Sequence, residues 1–194
     1  MDNLENSNNV SINRLKNIIT QLRDPINGCP WDIKQTYESI APYTVEEAYE
    51  VTDAIDRGDM GDLKEELGDL LLQVIYLSQI AADDNHFNFE DVVETISSKM
   101  ISRHPHIFND ETTNVKPNWE ELKEKERKEK NPVSGVLDGI AITLPALVRA
   151  FKLQNRAARV GFDWPTHEGA LKKLNEEISE LIVEIEAPTR DLKK

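Results

Sequence analysis

Thiols are nearly absent from this chain. Its 194 residues contain a single cysteine, Cys29, so no disulfide can form within it, and a reducing cytoplasm is the expected setting. Long apolar runs are also missing. No uninterrupted apolar stretch of about 20 residues is present to span a bilayer, and Met1 to Asn9 is polar and acidic, unlike a secretory leader. Positive charge is in short supply: 23 Lys and Arg against 36 Asp and Glu leave a net charge of −13 at pH 7. A field of that sign repels nucleic acid and anionic lipid, so neither is an expected partner. Finally, no useful length of sequence alternates apolar and polar residues as a strand would, which leaves an all-α fold class.

What is present is helical periodicity and acid. The hydrophobic share of 39% suits one globular domain with a smaller appendage. Residues 1–10, rich in Asn and Ser, are expected to be disordered or frayed. From Ile12 the apolar positions Leu15, Ile18, Ile19 and Leu22 predict a first helix that stops at Asp24-Pro25. Gly28 to Asp32 reads as a loop carrying Trp31. After Pro42 a second helix is expected, with Val45, Ala48, Tyr49, Thr52 and Ile55 on one face, closed by Arg57-Gly58-Asp59. A third runs from Met60 to Ala82 and is apolar nearly all round from Leu70 onward, so it must be surrounded. A single small domain has little protein with which to do that, and homo-oligomerisation is the expected solution. Phe89 to Arg103 is a fourth helix, ending at His104-Pro105-His106, with Lys99 and Arg103 on one stripe.

Beyond it the composition shifts, giving a linker segment at 109–136 and a helical region at 137–194. Trp119 to Lys130 alternates charge so densely that a solvated helix with i,i+4 ion pairs is expected, not a nucleic-acid patch. Helices are expected over Leu137–Val160 and His167–Glu186. The acidic pattern Glu46-Glu47-x-x-Glu50 recurs as Glu176-Glu177-x-x-Glu180, an offset of 130 that also brings Trp31 close to Trp164.

Residues three apart share a helix face, so Glu47 pairs with Glu50 and, on the next helix, Glu66 pairs with Asp69. If two adjacent antiparallel helices face these pairs together, four carboxylates repel one another and need a cation. A hard divalent ion with oxygen ligands fits best. Asp69 begins the apolar stretch of its helix, an odd position for a merely solubilising acid. Against this stands the abundance of acidic helices in a chain of this charge, and spacing alone leaves both readings open. A di-iron bundle is disfavoured, because such sites use Glu-x-x-His on two helices and no histidine here has that spacing. Trp31 is either a base-stacking residue or a plug at the core edge; His104 and His106 read as a structural turn, and Cys29 as structural.

The run Gly28-Cys29-Pro30-Trp31-Asp32-x-x-Gln35-Thr36, then Pro42-Tyr43-x-x-Glu46-Glu47-Ala48-Tyr49-Glu50, then Glu65-Glu66-Leu67-Gly68-Asp69-Leu70-Leu71-Leu72-Gln73-Val74, then Lys99-x-x-x-Arg103-His104-Pro105-His106-x-Phe108 resembles the MazG family of nucleoside triphosphate pyrophosphohydrolases. The resemblance implies an all-α bundle that dimerises, binds Mg²⁺ (with Mn²⁺ as a substitute), and hydrolyses NTPs at the α-phosphorus to release pyrophosphate. Clearing altered nucleotides from the pool is the implied role. By position, Glu47, Glu50, Glu66 and Asp69 would be metal ligands, with Glu46 or Glu50 activating water. Lys99 and Arg103 would contact the triphosphate, and Trp31, aided by Lys34 or Gln35, the base. On this reading residues 11–108 form the catalytic domain and 137–194 an incomplete second repeat, since the counterparts of Glu66 and Asp69 would fall at 196 and 199. The rival expectation is a weak or inactive helical module for dimerisation or regulation that keeps the bundle.

Overall fold

In the computed structural model, which describes residues 2–108, 119–133 and 135–187, every regular element is helical. The linker stretch 109–117 and the tail from Pro188 lie outside the described residues. The chain divides into two units, Met1–Pro117 and Asn118–Lys194.

The first unit is built on α1 (Asp2–Leu22), α2 (Tyr37–Arg57), α3 (Met60–Asp83), α4 (Phe89–Arg103) and a single turn, α5 (Pro105–Phe108). α1 reaches back to Asp2, across the stretch expected to fray; no Gly or Pro interrupts residues 2–22, so the apolar half can propagate the helix backwards. α2 begins six residues before the predicted start. Thr36 and Ser39 form a capping box, with the Ser39 N–H donating to Thr36 Oγ1 at 3.3 Å and the Thr36 N–H donating to Ser39 Oγ at 2.9 Å. Pro42 is carried inside the helix, where its missing donor falls near the solvated first turns.

The α2–α3 turn is tight. Gly58 has φ +70°, a left-handed position that favours glycine, and Asp59 caps α3 by accepting from the Gly61 and Asp62 N–H groups at 3.0 Å each. α3 is the hub. It packs most heavily on α2, then on α1 and α4, and Ile75, Tyr76 and Ile80 join Ile19 and Ile40 in the buried core. It is not fully surrounded: Leu67, Leu71 and Val74 remain 49%, 39% and 37% exposed.

The loop between α1 and α2 holds a one-turn 3-10 helix, Asp32–Lys34, and is pinned from both sides. Arg23 Nη1 donates to the Asp32 carbonyl at 2.7 Å, while Tyr76 Oη donates to Asp32 Oδ1 at 2.9 Å. Gly28 is obligatory here, since a Cβ would come within 2.4 Å of the Leu22 carbonyl oxygen.

The second unit contains α6 (Trp119–Lys130), α7 (Ala146–Arg159) and α8 (His167–Glu186). The predicted helix from Leu137 starts only at Ala146. Gly139, at φ +74°, and Pro145 keep the preceding residues in turns, and the Arg156 guanidinium donates to the carbonyls of Val136 and Asp138. No described residue of α7 or α8 is buried, and Leu147, Phe151, Phe162 and Leu174 stand open.

Candidate active site

The hairpin of α2 and α3 assembles the acids by count. Glu50 and Glu66 each lie eight residues from Gly58, and Glu47 and Asp69 each lie eleven. Two antiparallel helices with a common rise per residue therefore set Glu50 level with Glu66 and Glu47 level with Asp69. In the structure Glu47, Glu66 and Asp69 each offer a carboxylate oxygen, all within 4.8 Å of one another.

The electrostatics follow the same pairing. Burial, then the charges of Asp69 and Glu50, hold the Glu47 carboxyl above its usual range. Glu66 is pushed up by desolvation, then by Glu50, Asp62, Asp69 and Glu47. Glu50 is thus within electrostatic reach of both, though exposed and outside the converging trio. Glu46, one residue round the helix, is exposed and is not part of the converging trio. Among the described residues no lysine or arginine forms an ion pair with any of the four acids. Three carboxylate oxygens at this spacing, with like charges behind them and no internal counterion, are a donor set suited to a divalent cation.

Two features beside the acids were not expected from the sequence. Gln73, one turn beyond Asp69 and 8% exposed, donates from Nε2 to Glu47 Oε1 at 3.2 Å. It also lines a cleft of about 510 Å³ whose walls include Leu15, Trp31, Asp32, Tyr43 and Tyr76. The cleft therefore shares a wall with the acidic cluster. Trp31, 55% exposed, stands at this cleft and is not plugged into the core. Lys34 is exposed at the end of the 3-10 helix and does not line the cleft. Lys99 and Arg103 are half-buried near the end of α4; Lys99 lines a separate shallow groove with Phe87, Val92 and Ile96 and is not brought into the acidic cluster. His104 keeps a contact from Nδ1 to the Met100 carbonyl at 2.7 Å, as a structural turn would.

The MazG nucleotide pyrophosphohydrolase domain matches residues 35–108, which contain all four acids and lie wholly in the first unit. A nucleoside triphosphate pyrophosphohydrolase of Escherichia coli is 50% identical over 177 residues, covering 89% of this chain and 67% of that protein. The chain belongs to the MazG family. A second member, the nucleoside triphosphate pyrophosphohydrolase/pyrophosphatase MazG of Thermotoga maritima, is 44% identical over 86% of this chain and 64% of its own length. The chain thus spans about two thirds of these MazG relatives. The crystal structure of a MazG-related protein from Thermotoga maritima aligns with 60% of this chain and 98% of its own at a TM-score of 0.46 and 30% identity. As in the sequence reading, no helix among the described residues is long and apolar enough to cross a membrane.

Proposed function

We infer that this MazG-family chain is a Mg²⁺-dependent nucleoside triphosphate pyrophosphohydrolase whose active site is the acidic face of the α2–α3 hairpin. The observation that carries the reading is the convergence of Glu47, Glu66 and Asp69 within 4.8 Å, with no lysine or arginine among the described residues paired to them. Membership of a family whose E. coli and T. maritima relatives carry that activity in their names supplies the substrate class.

Glu47, Glu66 and Asp69, with Glu50 beside them, would hold Mg²⁺, for which Mn²⁺ is the natural substitute. When bound, the ion neutralises the phosphates and the charge that develops on the leaving pyrophosphate. The chain's own groups account for the rest. Water attacks the α-phosphorus, the bond from that phosphorus to the bridging oxygen breaks, and NMP and pyrophosphate leave. The water's proton passes to a carboxylate. Glu50 suits that role better than Glu46, because it adjoins the cluster while standing outside the converging trio. Trp31 offers a face for the base at the mouth of the cleft, and Lys34 is near enough in the chain to add charge at its rim. Counted from His86, Arg103 is as far along α4 as Asp69 is along α3, and Lys99 matches Gln73. That correspondence supports both cations as contacts for the triphosphate tail once substrate is bound.

The exposed stripe of Leu67, Leu71 and Val74 on α3 supports a homodimer in which a second copy completes the cover of that helix. The deciding experiment is pyrophosphate release from a panel of canonical and altered NTPs with Mg²⁺, comparing wild type with Glu50→Gln and Asp69→Asn. The expected result is turnover by wild type and a loss of roughly 10²-fold or more in each variant. Wild-type protein without turnover would instead make the chain a helical dimerisation or regulatory module, and a preference for altered NTPs would establish the nucleotide-clearing role.

A further inference from the structure

Gln73 is out of place by composition. It interrupts the apolar run from Leu70 to Ile75 and is 8% exposed, and a buried amide is unfavourable unless its hydrogen-bonding groups find partners. Leu or Met would fill the same space without that difficulty. Its described side-chain bond is the one from Nε2 to Glu47 Oε1, spanning 26 residues between α3 and α2. The donor type matters. A lysine or arginine in this position would also orient the carboxylate, but its charge would occupy the place a divalent ion needs. A neutral amide fixes a carboxylate and leaves its charge intact. Gln73 also forms part of the wall of the cleft that holds Trp31 and Tyr43, so one side chain touches both compartments of the site.

We propose that Gln73 is a positioning residue: it holds the Glu47 carboxylate in the orientation in which the oxygens of Glu47, Glu66 and Asp69 converge, and it ties that orientation to the wall of the adjoining cleft. The inference rests on reading those three acids as a divalent-cation site. Partners that orient a metal-binding side chain are worth about 10–100-fold in metal affinity. Gln73→Met, which keeps the volume and removes the donor, should therefore weaken the cation site by about 10-fold.

The test is titration of the nucleotide-free protein with Mn²⁺, read from the electron paramagnetic resonance signal of the free ion. Wild type, Gln73→Met, Gln73→Asn and the control Glu47→Gln are compared, each checked for folding by circular dichroism. Asn keeps an amide but withdraws it by one methylene, so it serves if the Met variant misfolds. The expected result is a right-shifted titration in both Gln73 variants. A matching kinetic signature is also expected: kcat falls at limiting Mg²⁺ and recovers at high Mg²⁺. Binding within twofold of wild type in both folded Gln73 variants, with Glu47→Gln defective, overturns the role of Gln73 and leaves the cation site standing. A wild type that takes up no Mn²⁺ overturns the cation site and this inference together.

Discussion

Removing a single oxygen atom from Tyr76 tests how the Trp31 loop is held against the helices. The Tyr76 ring is 5% exposed in the core, and its hydroxyl donates to Asp32 at both Oδ1 (2.9 Å) and the carbonyl oxygen (3.1 Å). Asp32 is itself 8% exposed, so Tyr76→Phe strips a donor from a nearly buried carboxylate while leaving the ring in place and opening no cavity. Hydrogen bonds to charged groups are worth about 1.5–3 kcal/mol, so a loss of about 2 kcal/mol is expected. For a unit of this size that is roughly 6–12 °C in Tm, measured by circular dichroism at 222 nm. The neighbour in the chain is Trp31, so the KM for NTP should rise while kcat at saturation holds. The alkaline limb gives an independent reading. Burial, then the bond to Asp32, pushes the Tyr76 hydroxyl up to about 12, so its contribution to stability is complete below the ordinary tyrosine pKa of about 10 and is lost as pH rises through about 12. The Phe variant should lack this last step of alkaline destabilisation. A variant within 2 °C of wild type, with the same alkaline slope, would show that the Asp32 lock contributes nothing net.

Two further outcomes follow from the hairpin. Glu47 and Glu66 are held above the ordinary carboxylate range, so the stability they contribute is complete below that range and lost as pH rises through their raised values. The metal-free protein should therefore melt lower at pH 7.5 than within the ordinary carboxylate range, near pH 4.5. Mg²⁺ at tenfold its Kd should restore about 1.4 kcal/mol by binding the folded state alone, and Glu66→Gln should raise the metal-free Tm while abolishing most of the Mg²⁺ effect; an unchanged Tm on both counts refutes the mutual repulsion. On the other face of α3, Leu71→Glu should halve the mass measured by light scattering without lowering helicity, and a wild type that is monomeric at about 50 μM removes the homodimer.

The acids were legible because everything that brings them together is local. The i,i+3 spacing fixes each pair on one face, and the Gly58 turn fixes the level of one pair against the other by residue count alone. Gln73 was not legible, since a polar residue inside an apolar run looks like tolerated filler until its partner, 26 positions away, is in contact. The same holds for Tyr76 and Asp32, 44 residues apart. Helix boundaries failed for a different reason. Pro42 reads as a barrier, but the capping box at Thr36 sets the start of α2 earlier and the helix carries the proline. Leu137 to Leu144 has apolar residues enough to suggest helix, yet Gly139 and Pro145 decide the backbone there. The lateral placement of Lys99 depends on how α4 crosses α3, which periodicity does not encode.

The internal repeat turns on the same helix. In the first unit α1 and α2 each pack on α3. α8 stands in register with α2, Thr166 and His167 matching Thr36 and Tyr37 at the offset of 130, whereas the second half of α7 falls at that offset on the loop after Leu22. α3 contributes both Glu66 and Asp69 and the buried Ile75, Tyr76 and Ile80. No described residue of α7 or α8 is buried. Glu177 and Glu180 are exposed, and Glu177 forms an ion pair with Lys173 at 3.1 Å, whereas Glu47 and Glu66 are half-buried beside like charges. In the first unit one helix, α3, supplies two of the converging acids and three residues of the buried core together.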